Sequence, residues 1–128
     1  MGIEIDLLKN YPKSKRDIND RLQSKTEDNR LIARQFGKEF FDGSRDTGYG
    51  GFNYHPRFWT NVVPDFYNHW SFKENSSILD VGCGKGFMLY DFLKKFPKLK
   101  IKGIDISEYD IKNSLEQIRK SLLVCNAK

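Results

Sequence analysis

The chain has 128 residues, one domain of ordinary size, with 38% hydrophobic and 30% charged residues and a formal net charge of +5. No apolar run approaches the roughly 18 residues of a membrane span, the opening "MGIEID" has neither the basic nor the apolar region of a secretory leader, and Cys83 and Cys125 alone are too few for a disulfide framework or a zinc site. A reduced, cytoplasmic protein without metal or membrane contact is expected, and because acids are interspersed with the bases, the net charge reads as a solvated surface rather than a nucleic-acid footprint.

Residues 1–74 read as a helical and aromatic segment. "SKTEDNRLIARQFGKEFF" opens on Ser24 with Glu27 three places on, a capping-box spacing. Leu31, Ile32, Phe36 and Phe40 follow at helical intervals, and Gly43 is a plausible stop. "DGSRDTGYGGFNYHP" has four glycines and a proline in fifteen residues and must be a loop. Pro56 suits a first helical turn, and Phe58, Trp59, Val62, Val63, Phe66 and Trp70 make a broad apolar stripe suited to core packing. Pro64 interrupts it, so a kink or two short helices are expected.

Residues 75–128 change pattern. "SSILDV" is a short apolar strand, "GFMLYDFLKKF" a helix ended by Pro97, and "KIKGIDI" a second strand. "EYDIKNSLEQIRK" reads as a helix with Ile111, Leu115 and Ile118 on one face, and "SLLVCNA" as a third strand. The order β-α-β-α-β, with crossovers long enough for parallel pairing, predicts an α/β fold: a partial doubly wound parallel sheet preceded by an N-terminal helical lid. In such sheets ligands bind at the carboxyl ends of the strands.

Between the first strand and its helix stands "DVGCGKGF", with Gly82, Gly84 and Gly86 at alternate positions. A phosphate loop needs G-x-x-x-x-G-K-[ST], which this is not. A dinucleotide fingerprint needs glycine at 87, which is Phe. The unbroken run Ile78, Leu79, Asp80, Val81, Gly82, Cys83, Gly84, Lys85, Gly86 resembles the first motif of the class I S-adenosylmethionine (SAM)-dependent methyltransferases. The resemblance implies that Asp80 and the loop hold the methionine end of SAM. Glycines permit the torsions and the close approach, the free amides at the helix start suit a carboxylate, and Cys83 contributes backbone rather than thiol chemistry. Lys85 reads as a solvent-facing charge.

"IKGIDIS" puts Asp105 at the end of strand 2, where this class carries an acid that accepts both ribose hydroxyls. Ile106 then packs on the adenine. Asp105 also reads as a helix cap, for which Ser107 is the better candidate. Asn126 and Ala127 stand where the family often has an Asp-Ala pair reading the adenine edge. Asn126 departs from the acid but its amide oxygen still accepts, and a simple turn after the strand also favours Asn.

The segment "GYGGF.Y.PRFW" loosely resembles the aromatic region before the SAM fold in bacterial methyltransferases. It implies a lid, with Tyr49, Phe52, Tyr54 and Arg57 as candidate contacts to cofactor or substrate. Arg57 is a candidate clamp for the methionine carboxylate. Tyr49 and Tyr54 read equally as loop packing. His55 and His69 read as structural, and no catalytic residue is assigned.

The expected function is a SAM-dependent methyltransferase acting on a small molecule or sugar precursor. The cofactor half is complete and the acceptor half cut off, a truncated form whose strand 1 has a free side. Two alternatives remain. One is a non-catalytic SAM-binding module or subunit, completed by another chain or a second copy. The other is a nucleic-acid methyltransferase fragment using Lys9, Lys13, Lys15 and Arg16.

Overall fold

A computed structural model describes residues 2–13 and 25–128. Ser24, Lys15 and Arg16 lie outside the described residues. Helix α1 spans Glu27–Ala33, and its cap is Thr26, whose hydroxyl accepts from the Asn29 amide at 3.2 Å. The single helix expected through Gly43 divides. Phe36 takes a left-handed φ of 49° and Gly37 starts a short second helix, α2, at Lys38–Phe41. The break lets the Phe36 carbonyl accept from the Ser107 hydroxyl and stacks Phe36 edge-on against Phe40.

The glycine-rich loop follows as expected. Pro56 stands at the first position of α3 (Pro56–Trp59), and α4 (Val63–His69) starts beside Pro64, so the stripe forms two short helices. Val62 and Val63 are fully buried, while Trp70 is 54% exposed and leaves the core.

The sheet has three parallel strands in the order β1 (Ser77–Val81), β2 (Lys100–Asp105), β3 (Leu122–Val124). Helix α5 (Phe87–Lys95) crosses from β1 to β2 and presses Leu89 and Phe92 onto the face carrying Ile78, Ile101 and Leu122. Each such side chain contributes roughly 1.5–3 kcal/mol by leaving water. The second crossover departs from expectation. α6 stops at Glu108–Lys112, and a 3-10 turn takes over at Glu116–Ser121. Leu115 is extended, which lets its amide reach the Lys85 carbonyl at 3.3 Å, and Arg119 donates to the Ser114 carbonyl.

Among the described residues nothing covers the opposite face of the sheet. Leu79, Val81 and Leu123 are each more than half exposed, and β1 is an edge strand among the described residues. Parallel sheets are ordinarily covered on both faces.

Candidate functional site

All three loop glycines have positive φ: 80° at Gly82, 57° at Gly84 and 81° at Gly86. The reasons for glycine differ. A Cβ on Gly86 would lie 2.1 Å from Ile118 Cδ1, so that position is closed by core packing. A Cβ on Gly84 would touch the Phe52 ring at 3.0 Å and Asp110 Oδ2 at 3.3 Å, so the N-terminal segment and α6 fill that space. A Cβ on Gly82 would meet nothing within 4 Å. Gly82 is where the loop backbone faces open space.

Ahead of the helix start, three loop amides are bonded within the fold. Gly82 and Cys83 both donate to the Ile104 carbonyl, at 2.8 and 3.0 Å. Gly84 donates to Asp105 Oδ2 at 2.8 Å, and the other oxygen of Asp105 accepts from the Ser107 amide at 2.7 Å. Asp105 thus ties the loop to the end of β2. The helix cap itself is Ser107, whose hydroxyl accepts from the Asp110 amide at 3.1 Å.

Lys85 is not a solvent-facing charge. It is 5% exposed, and its Nζ lies 2.7 Å from both Asp42 Oδ2 and the Phe52 carbonyl. Asp42 also accepts from the Phe52 amide at 2.8 Å and the Tyr109 hydroxyl at 2.6 Å. Burial pushes Asp42 up, but bonds from Lys85, Tyr109 and Phe52 outweigh it and hold the carboxyl below its ordinary range. This latch fastens the N-terminal segment to the loop, and the sequence reading missed it. The one available signal was an Asp opening a glycine-rich turn, where a carboxylate commonly accepts local amides.

Two cavities open at this loop, and a third shares aromatic lining with the first. The first, about 480 Å³, is lined by Asp80, Gly82, Cys83, Gly84, Asp105 and Ile106 on one side and by aromatic rings including Tyr49, Phe52 and Trp59 on the other. It contains two acids and no Lys, Arg or His. Burial and the neighbouring Asp105 raise Asp80 above the usual carboxylate range. Burial, Asp80 and Asp105 push the Cys83 thiol up to about 12, so it stays protonated and takes no thiolate role. A smaller space of about 260 Å³ continues from Gly82, Asp105 and Ile106 to Asn126 and Ala127. Arg57 lines a different cavity, on the far side of Tyr49, Phe52 and Trp59. Gly86 lines none of the three.

Two buried carboxylates stand behind the site. Asp91 accepts from Tyr54 at 2.5 Å with one oxygen and leaves the other unpartnered. Asp110 is fully buried with neither oxygen partnered, and burial followed by Asp105 pushes it up to about 7. Among the described residues no group of three or more His, Cys, Asp or Glu could hold a metal ion, and no helix is long and apolar enough to cross a membrane.

Residues 72–128 match the model of a family described as a methyltransferase domain. No curated protein matched. Among solved structures the chain is similar to a phosphoethanolamine N-methyltransferase 2 of Haemonchus contortus in complex with phosphomonomethylethanolamine and S-adenosylhomocysteine. That likeness has a TM-score of 0.52 and 21% identity over 74% of this chain and 25% of that one. A SAM complex of phosphoethanolamine N-methyltransferase 2 from the same organism matches at a TM-score of 0.46 and 21% identity, over 91% and 26% of the two chains. The chain spans about a quarter of the length of these structures. The match to a methyltransferase domain falls on residues 72–128, the segment that holds the three-stranded parallel sheet and the left-handed glycine loop.

Proposed function

We propose that the protein binds SAM in the cavity beneath Gly82 and transfers its methyl group to a small molecule or sugar precursor. The observation that carries this is the open Gly82, φ 80° with no atom within 4 Å of a Cβ, in the same acid-lined cavity as Asp105. The chemistry of the lining fits the cofactor. A sulfonium is cationic and gains from Asp80 and Asp105. A dinucleotide diphosphate would meet those acids, no basic side chain, and amides at Gly82, Cys83 and Gly84 already bonded within the fold.

When bound, the sulfonium supplies an electrophilic methyl carbon. The chain's own part is to bind, orient and exclude water. Each Asp105 oxygen accepts one backbone amide and keeps a lone pair, so the carboxylate has room for ribose hydroxyls as well as its structural role. Ile106, exposed beside it, offers an apolar face for the adenine, and Asn126 and Ala127 extend the site in that direction. The aromatic wall shields the reacting centre from solvent.

Calorimetry with S-adenosylhomocysteine and with NAD tests the reading on the parent and Gly82→Ala. The variant costs about 1–2 kcal/mol for a left-handed alanine and keeps its fold, but the added Cβ enters the ligand space. Loss of S-adenosylhomocysteine affinity with weak NAD binding throughout is expected. Unchanged affinity in Gly82→Ala, or tight NAD binding by the parent, refutes it. The sheet face and β1 edge left uncovered among the described residues favour one further reading, a SAM-binding subunit completed by another chain. Activity that appears only on adding a second polypeptide distinguishes it.

A further inference from the structure

The second cavity, about 410 Å³, differs from the first in the sign of its charge. It shares the aromatic wall of Tyr49, Phe52 and Trp59 with the first, yet no acid lines it, and its charged group is Arg57. The Arg57 guanidinium lies 4.6 Å over the Phe58 ring, and among the described residues no carboxylate comes within ion-pair distance of it. His55 lies alongside, its Nδ1 accepting the Arg57 amide at 3.1 Å. The neutral imidazole therefore carries its proton on Nε2 and is a second donor. Asn53 and Tyr54 complete a polar end, against rings on the remaining walls.

We propose that this second cavity is the methyl-acceptor site, and that it selects an acceptor whose apolar body lies between the rings and whose carboxylate or phosphate pairs with Arg57 and His55. The proposal rests on the methyltransferase reading above. It has a physical logic of separation. An anionic acceptor is repelled by Asp80 and Asp105 from the first cavity, while a cationic sulfonium is repelled by Arg57 from the second. Two ligands of opposite charge are thereby sorted to the two sides of one aromatic wall, with their reacting groups able to meet only where the cavities adjoin. A guanidinium suits either anion, because its planar fork matches carboxylate and phosphate oxygens alike. The assignment also reverses the sequence expectation for Arg57: it serves the acceptor rather than the methionine carboxylate.

The test is calorimetry on the full chain, parent, Arg57→Ala and Arg57→Lys, with three probes: phenyl phosphate, benzoate and the neutral benzyl alcohol. Each probe is titrated with and without S-adenosylhomocysteine, which is also titrated alone. Arg57 is exposed, so its replacement leaves the core intact. The expected result is binding of at least one anionic probe by the parent, about tenfold or more weaker in Arg57→Ala, the scale of a lost hydrogen bond to a charged group. Arg57→Lys should fall between, and S-adenosylhomocysteine affinity should be the same in all three. The stronger anionic probe tells phosphate from carboxylate. Weakened S-adenosylhomocysteine binding in Arg57→Ala overturns the proposal by returning Arg57 to the cofactor. Benzyl alcohol binding as well as the anions, or no anion binding by the parent, overturns it too. Failure of the parent to bind S-adenosylhomocysteine is a different outcome, and refutes the cofactor reading itself.

Discussion

Replacing Asp110 by Asn isolates the buried acid beneath the glycine loop. Asp110 is fully buried and both of its oxygens lack partners. Burial and then Asp105 raise it from 3.8 to about 7, against an opposing pull from Lys85. A carboxyl raised in this way is protonated in the folded chain at pH values where the unfolded chain has already ionised. Its contribution to stability is fully present below about pH 4 and is lost as pH rises through about 7. At about 1.4 kcal/mol per pH unit, the gap from 3.8 to about 7 amounts to roughly 4 kcal/mol, of which about 3 is lost between pH 5 and pH 8. Asparagine does not titrate, although its buried amide brings a constant cost of about 1–3 kcal/mol if left unpaired. Urea denaturation of both proteins at pH 5 and pH 8 separates the two effects. The variant should gain on the parent by about 3 kcal/mol between those pH values. A stability difference that stays constant from pH 5 to pH 8 would refute the reasoning, because it would mean that Asp110 titrates alike in the folded and unfolded chain.

The latch gives a second expectation: Lys85→Met strands the Asp42 carboxylate and should destabilise by about 3–5 kcal/mol. Asp42→Asn combined with Lys85→Met should cost less than the two single changes summed, and urea denaturation of the four proteins checks this. Asp105→Ala should weaken S-adenosylhomocysteine binding and also loosen the loop, since the Gly84 and Ser107 amides lose their acceptor. Amide exchange at Gly84 should rise in that variant even without ligand, and unchanged protection there would contradict the structural role. Finally, Leu79→Lys combined with Val81→Lys should reduce self-association in sedimentation, because the bare face invites another chain. An equally monomeric parent at high concentration would show that this face is not adhesive.

How much of this was legible in the sequence follows from how local each feature is. β1, the loop and α5 could be read because an apolar run, alternate glycines and a helical period are short-range signals. The left-handed torsions at 82, 84 and 86 show that the glycines were read for the right backbone reason. The place of Asp105 at the end of β2 was legible because it closes an apolar strand. Lys85 was misread because its burial is decided by Asp42, forty-three residues earlier. The end of α6 was misread because Leu115 leaves the helix to satisfy the Lys85 carbonyl, a partner that no periodicity contains. Phe36 and Trp70 follow the same rule. Both fit an apolar helical stripe, yet one breaks the helix and the other faces solvent. The division of charge between the two cavities arises where the N-terminal segment packs on the loop, and no contiguous stretch of sequence displays it.

The wall that the two cavities share has an optical consequence. Tryptophan occurs twice in the chain. Trp59 is half-buried and lines both cavities, whereas Trp70 lines neither and is largely exposed. A cation arriving on the acid-lined side and an anion arriving on the arginine-lined side impose fields of the same direction on an indole between them, so the two shifts add. With Trp70→Phe removing the solvent-exposed emitter, the protein becomes its own single-fluorophore indicator, and the arrival of two unlabelled ligands can be followed by stopped-flow emission from Trp59.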